Sequence, residues 1–72
     1  MDSKFINALR EALEMEGLEI KPEDKFREYE GWSSLKELSV LAMLDSDFGI
    51  NIEMKDFNKL ITVSDLYSLI TH

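Results

Sequence analysis

Few side chains in this chain are arranged so that they could carry chemistry. It contains no cysteine and one histidine, His72, at its last position, for which we expect no role. No phosphate-binding glycine loop, paired acid and base, or Ser–His–Asp arrangement is present, so we expect the protein not to be an enzyme. Two adjacent serines, Ser33 and Ser34, and two carboxylates, Asp45 and Asp47, are the groups that need an explanation.

The carboxylates of Asp45 and Asp47 flank Ser46 in a pattern superficially similar to a calcium loop. An EF-hand loop needs glycine at its sixth position and a bidentate glutamate at its twelfth. Counted from Asp45, Gly49 falls one position too early and Asp56 stands at the twelfth. We therefore predict no metal site. These carboxylates are better interpreted as a solvated helix face, or as docking charges for arginine and lysine on partner proteins.

Composition limits what the chain can bind. Its 72 residues include 15 acidic and 8 basic ones, which gives a net charge of −7. This charge repels nucleic acids and anionic membranes, so we expect neither as a partner. No apolar run approaches the roughly 20 residues that span a bilayer, so we expect no membrane insertion. We expect a single soluble domain over residues 1–72, cytoplasmic and monomeric, whose partners carry basic patches.

The spacing of apolar residues predicts an amphipathic first helix over residues 2–16. Asp2 or Ser3 can cap its start, and Gly17 fits the left-handed position just past its end. A long polar loop follows. Its scattered apolar residues predict that it is pinned onto the core, with one short turn at residues 25–29.

The second helix is predicted over residues 34–48, with Gly49 as its C-terminal stop. The spacing of Ser34 and Glu37 is typical of a capping box, in which each side chain accepts a hydrogen bond from the first turn. A short extended link then leads to a brief third helix at residues 55–59.

The last helix is predicted to begin at a second capping box, formed by Thr62 and Asp65. Its apolar face consists of Val63, Leu66, Tyr67 and Ile70. The chain is thus predicted to be all-α, a small four-helix bundle of three main helices and one short helix, with a long first loop.

The second helix has more apolar surface than one core face requires. One arc, wide enough to face the core, holds Val40, Leu41, Leu44 and Phe48. Met43 projects among polar residues and is expected to be exposed. A separate apolar strip is formed by Leu35, Leu38 and Ala42. Two interpretations stay open: the first loop covers the strip, or the strip is a partly exposed docking surface rimmed by carboxylates.

Three segments in this order resemble the acyl carrier proteins. They are residues 29–35 (Tyr-Glu-Gly-Trp-Ser-Ser-Leu), residues 41–52 (Leu-Ala-Met-Leu-Asp-Ser-Asp-Phe-Gly-Ile-Asn-Ile) and residues 60–66 (Leu-Ile-Thr-Val-Ser-Asp-Leu). That family has a serine, usually within Asp-Ser-Leu, at the start of an acidic second helix that closes on phenylalanine. Its last helix opens with a similar Thr-Val-x-Asp-Leu. Each motif alone is weak, but together they cover nearly the whole chain.

The resemblance implies an acyl-carrier-like fold and a carrier function. In this family a phosphopantetheinyl transferase attaches the 4′-phosphopantetheine arm of coenzyme A to the serine, and the thiol of the arm holds acyl groups as thioesters. Carried over by position, the attachment residue is Ser34, directly before Leu35. A helix N-terminus favours a phosphodiester through its exposed N–H groups and its dipole.

The implied partners are the transferase and the acyl-transferring or condensing enzymes of fatty-acid, polyketide or related biosynthesis. We expect these enzymes to present basic docking patches. The residues predicted to meet them are apolar Leu35, Leu38 and Ala42, together with acidic Glu37, Asp45 and Asp47.

Two positions depart from the family's pattern. Ser33 stands where the family has aspartate, and Lys36 stands where an acidic residue is common. Alternatives therefore stay open: Ser33 could be the modified serine, or both serines could be helix caps in an unmodified interaction module. A peptidyl carrier is a further alternative, although such carriers are usually less acidic. A helical adaptor unrelated to carriers would use Ser34 only as a cap.

Overall fold

Four α-helices and one 3₁₀ turn make up the secondary structure of residues 1–71, which are the residues that the computed structural model describes. The elements in chain order are α1 (Ser3–Leu13), the 3₁₀ turn (Phe26–Glu28), α2 (Ser34–Phe48), α3 (Met54–Phe57) and α4 (Val63–Ser68). The all-α prediction is confirmed, as are both ends of α2. The last helix is shorter than expected, because the chain continues after it in single turns. The expectation for His72 lies outside the described residues.

Two helix starts use the side-chain caps that the sequence predicts. A carboxylate oxygen of Asp2 accepts a hydrogen bond from the backbone N–H of Lys4 at 3.0 Å, which caps α1. At α4 the hydroxyl of Thr62 accepts from the N–H of Asp65, and the Asp65 carboxylate accepts from the N–H of Thr62. The predicted capping box at α4 is therefore confirmed.

Helix α1 ends at Leu13, three residues earlier than predicted. Glu14, and not Gly17, provides the left-handed cap, with φ of 56°. The N–H of Met15 donates to the carbonyl of Arg10 at 3.1 Å and closes the helix end. The Nε of Arg10 donates to the carbonyl of Leu18 at 2.7 Å, which holds the returning chain against this end. Gly17 adopts a positive φ in the turn that follows.

The long first loop is pinned onto the side of the molecule formed by α3 and the start of α4. The guanidinium of Arg27 donates to the backbone carbonyls of Leu60 and Phe57. It also lies 4.7 Å from the ring centre of Phe26 and 5.0 Å from that of Phe57. The position of this loop determines which face of α2 remains uncovered.

The core lies where α1 packs against α2 and where the loop and the two short helices close over them. Its buried apolar residues are Phe5, Leu9, Leu13, Ile20, Phe26, Val40, Met43, Leu44, Phe57, Val63 and Leu66. The expectation that Met43 is exposed is wrong, since its exposed fraction is 5%. Met43 belongs to the buried core against which Ala8 and Ala12 of α1 pack, and it lines the groove between α1 and α2 together with them. No helix within residues 1–71 is long and apolar enough to cross a membrane.

Candidate functional site

The start of α2 is capped by Ser33. This residue has an extended backbone (φ −156°), and its Oγ accepts a hydrogen bond from the N–H of Lys36 at 3.4 Å. Its carbonyl accepts from the N–H of Glu37 at 3.0 Å. The predicted capping box of Ser34 and Glu37 is therefore wrong by one residue. A capping box built on Ser33 would need a side chain at position 36 that accepts a hydrogen bond from the Ser33 N–H, and a lysine side chain has no acceptor atom.

Ser34 is the first residue of α2 and is exposed. Within residues 1–71 its hydroxyl makes no hydrogen bond, because Ser33 already provides the cap. The N–H groups of the first turn of a helix have no intrahelical partners and carry the positive end of the dipole. The Ser34 hydroxyl is thus placed where a negatively charged substituent is stabilised.

A depression of about 340 Å³ lies beside this hydroxyl. Three of its lining residues, Ser34, Glu37 and Leu38, follow the three- and four-residue spacing of one face of α2. Met54 and Asn58, at and just past the two ends of α3, line its other side. Glu37 is the one charged residue of this lining.

The sequence did not lead us to place Met54 and Asn58 at the site, although the length of the link between α2 and α3 indicates it. From Phe48 back to Leu38 is ten residues of helix, a rise of about 15 Å. The link at residues 49–53 spans about 17 Å when extended. An extended link of that length can return the chain along α2 to the level of Leu38, where Met54 is found.

The apolar strip of α2 is uncovered. The exposed fractions are 75% for Leu35 and 56% for Leu38, and Ala42 is also exposed. The interpretation that the first loop covers the strip is therefore wrong. Arg27 holds that loop against α3 and the start of α4 instead, so the strip is left to solvent.

The structure brings together only part of the predicted site. Ser34, Glu37 and Leu38 share the depression next to α3. Ala42 and Asp47 line a second depression of about 270 Å³, on the side of α2 that faces α1. Leu35 and Asp45 are exposed and line neither depression. Within residues 1–71 no group of three acidic or histidine side chains is arranged to hold a metal ion.

Two titratable groups outside α2, Asp65 and Tyr29, have shifted pKa values. Hydrogen bonds from the backbone N–H groups of Thr62 and Ile61 hold the pKa of Asp65 below its ordinary value. Burial raises the pKa of Tyr29, and its hydrogen bond to the Asp24 carboxylate at 2.8 Å raises it further. Both groups keep their ordinary charge near neutral pH.

A family model described as a phosphopantetheine attachment site matches residues 3–70, a span that includes all four helices. The chain therefore belongs to this family of phosphopantetheine-carrying domains, and the resemblance to acyl carrier proteins is confirmed. The prosthetic group of the family is 4′-phosphopantetheine. Members of the family carry acyl cargo and interact with enzymes. Neither the curated proteins nor the solved structures include a match to this chain.

The residues at the start of α2 fit this prosthetic group. A covalent phosphodiester needs an accessible hydroxyl, and Ser34 presents one at the N-terminus of a 15-residue helix. An arm attached to this hydroxyl would have beside it the open depression that Leu38, Met54 and Asn58 line.

Proposed function

We propose that Ser34 is the attachment residue and that the protein carries acyl groups between enzymes of fatty-acid, polyketide or related biosynthesis. When bound, the prosthetic group supplies a terminal thiol that holds the cargo as a thioester. The observation that supports Ser34 is the difference between the two serines. The Oγ of Ser33 is occupied as the cap of α2, whereas the Ser34 hydroxyl is exposed and has no hydrogen bond within residues 1–71.

Partner enzymes are proposed to dock on α2 beside Ser34. Leu35 and Leu38 supply exposed apolar area that an enzyme can bury, and Glu37 supplies charge at the edge of the depression. Enzymes with basic patches complement the net charge of −7, and this attraction accelerates encounter. Ala42 and Asp47, in the depression on the α1 side of α2, and the exposed Asp45 are proposed as a further part of the docking surface. Because peptidyl carriers are usually less acidic, the charge favours the fatty-acid or polyketide type.

Residues 1–72 are proposed to form one carrier domain that works in the cytoplasm as a monomer. The family match over residues 3–70 supports a single unit. The chain itself is proposed to be no enzyme: its part is to present the loaded Ser34 to other proteins.

The second candidate is an unmodified module that binds a partner through α2. The exposure of Leu35, at 75%, supports protein binding, which by itself requires no prosthetic group. The two candidates differ in one respect only, which is whether Ser34 becomes modified.

Intact-protein mass spectrometry separates the two candidates. The protein is incubated with coenzyme A and a broad-specificity phosphopantetheinyl transferase, alongside its Ser34→Ala variant and a known carrier as positive control. The carrier function predicts one phosphopantetheine addition to the wild type and none to Ser34→Ala. An unchanged wild-type mass, with the positive control modified, contradicts the carrier function and supports the unmodified module.

A further inference from the structure

Lys36 occupies an unusual electrostatic position. It is the third residue of α2, where the positive end of the helix dipole disfavours a cation. Its side chain is nevertheless only 22% exposed, and its Nζ donates to the carbonyl oxygen of Leu13 at 2.6 Å. The same Nζ lies 3.6 Å from a carboxylate oxygen of Glu14. Leu13 is the last residue of α1, so the ammonium binds the negative end of a different helix dipole.

The backbone of Lys36 is also engaged. Its N–H donates to the Oγ of Ser33 at 3.4 Å, which is the capping hydrogen bond of α2. One residue therefore connects the cap of α2 to the C-terminal end of α1. Ser34 lies between the two residues of this capping bond, in the turn that the bond closes.

Ser34 and Lys36 project from different faces of α2, since two residues correspond to about 200° of rotation. Lys36 extends towards the end of α1, where Leu13 and Glu14 lie. Ser34 lines the depression next to α3, in which Glu37 is the one charged residue. The tether thus holds the ammonium at the end of α1 and away from the depression that Ser34 lines.

We propose that Lys36 is a positioning residue for the modification of Ser34. Its ammonium ties the first turn of α2 to the end of α1 and so fixes the orientation in which the Ser34 hydroxyl meets the transferase. This inference rests on the proposed attachment at Ser34. It assigns a role to a residue that departs from the family's acidic preference at this position.

The test compares Lys36→Met, which keeps a stem of similar length without the ammonium, with Lys36→Arg, which keeps donors for the Leu13 carbonyl. The control is Lys25→Met, because Lys25 is 60% exposed and its contact with Glu28, at 4.0 Å, lies on the surface. One readout is amide hydrogen exchange at Glu37, whose N–H donates to the carbonyl of Ser33, relative to that at Leu44, which is buried in the same helix. The other is the kcat and KM of phosphopantetheine transfer.

In Lys36→Met we expect exchange at Glu37 to rise about tenfold while exchange at Leu44 rises less, because the first turn opens locally. We expect kcat to fall about tenfold with little change in KM, since a loosened turn presents the hydroxyl in fewer productive orientations. Lys36→Arg is expected to restore both readouts, and Lys25→Met to leave them unchanged.

Unchanged exchange at Glu37 in Lys36→Met overturns the proposal. An equal rise at Leu44 overturns it too, because the residue would then affect only global stability. A kcat equal to that of the wild type has the same consequence. If the wild type is not modified at all, the proposed function fails, while the exchange measurement still decides whether Lys36 holds the first turn.

Discussion

Ser33 and Ser34 are adjacent in the chain but differ in what their hydroxyl groups do. The Oγ of Ser33 lies 3.4 Å from the N–H of Lys36 and caps α2, whereas the exposed Ser34 hydroxyl has no such partner within residues 1–71. Because the Ser33 hydroxyl already accepts the capping hydrogen bond of α2, the Ser34 hydroxyl is available for covalent attachment. As the N-cap of α2, Ser33 is comparable to the aspartate that the family has at this position.

Replacement of each serine by alanine should separate the two roles. Ser33→Ala removes the cap and should lower the free energy of unfolding by about 1 kcal/mol. Ser34→Ala should change it by less than about 0.5 kcal/mol, because alanine is a good helix former and no hydrogen bond is lost. Urea unfolding at neutral pH measures both. A larger loss in Ser34→Ala than in Ser33→Ala contradicts the assignment.

Leu38 should contribute to enzyme docking without contributing to stability. Leu38→Ala removes apolar area next to Ser34, and we expect the KM of phosphopantetheine transfer to rise about tenfold, which corresponds to about 1.4 kcal/mol. Ile61→Ala is the matched control, because Ile61 and Leu38 are both 56% exposed and Ile61 lies outside the depression. Equal KM values in the two variants argue against docking at this depression.

The carboxylates of α2 should differ in their effect on encounter with the transferase. Glu37 lies in the same depression as Ser34, whereas Asp47 lies in the depression next to α1. Glu37→Gln should therefore lower the association rate and its salt dependence more than Asp47→Asn does, because electrostatic steering depends on charge near the docking site. Stopped-flow association over a range of salt concentrations provides the comparison. A stronger effect of Asp47→Asn would shift the proposed docking surface towards α1.

Asp65 should make α4 sensitive to acid. Its pKa lies below the ordinary value of 3.8 in the folded protein, so its contribution to stability is present above that value and is lost as pH falls through the lowered pKa. Asp65→Asn can still accept hydrogen bonds from Ile61 and Thr62 but has no charge to lose. Between about pH 5 and pH 3, urea unfolding should show a smaller loss of stability in Asp65→Asn than in the wild type. Equal losses would mean that other carboxylates account for the acid sensitivity.

The sequence predicts the bounds of α2 correctly because local signals set them. A serine provides its start, and Gly49 adopts the left-handed conformation (φ 67°) at its end. At the end of α1 the left-handed cap is Glu14, a residue type that does not signal this conformation, and the chain beyond it is held by the contact between Arg10 and Leu18. Helix caps and stops are predictable where adjacent residues decide them, and less so where tertiary contacts do.

The candidate site is predictable to a similar degree. The position of Ser34 and the two faces of α2 follow from the sequence, but whether each face is buried or exposed depends on what packs against it. Met43 is buried because α1 packs against that side of α2, and a helical wheel of α2 alone contains no such information. The apolar strip stays open because Arg27 directs the first loop elsewhere.

The attachment residue can be located directly by fragmentation of a tryptic peptide. Cleavage after Arg27 and Lys36 releases residues 28–36, which contain Ser33 and Ser34 and no other hydroxyl except that of Tyr29. After incubation with coenzyme A and the transferase, fragments that end at Ser33 should have their unmodified mass, and those that include Ser34 should carry one phosphopantetheine. An addition already present at Ser33, or no addition while a control carrier is modified, contradicts the account.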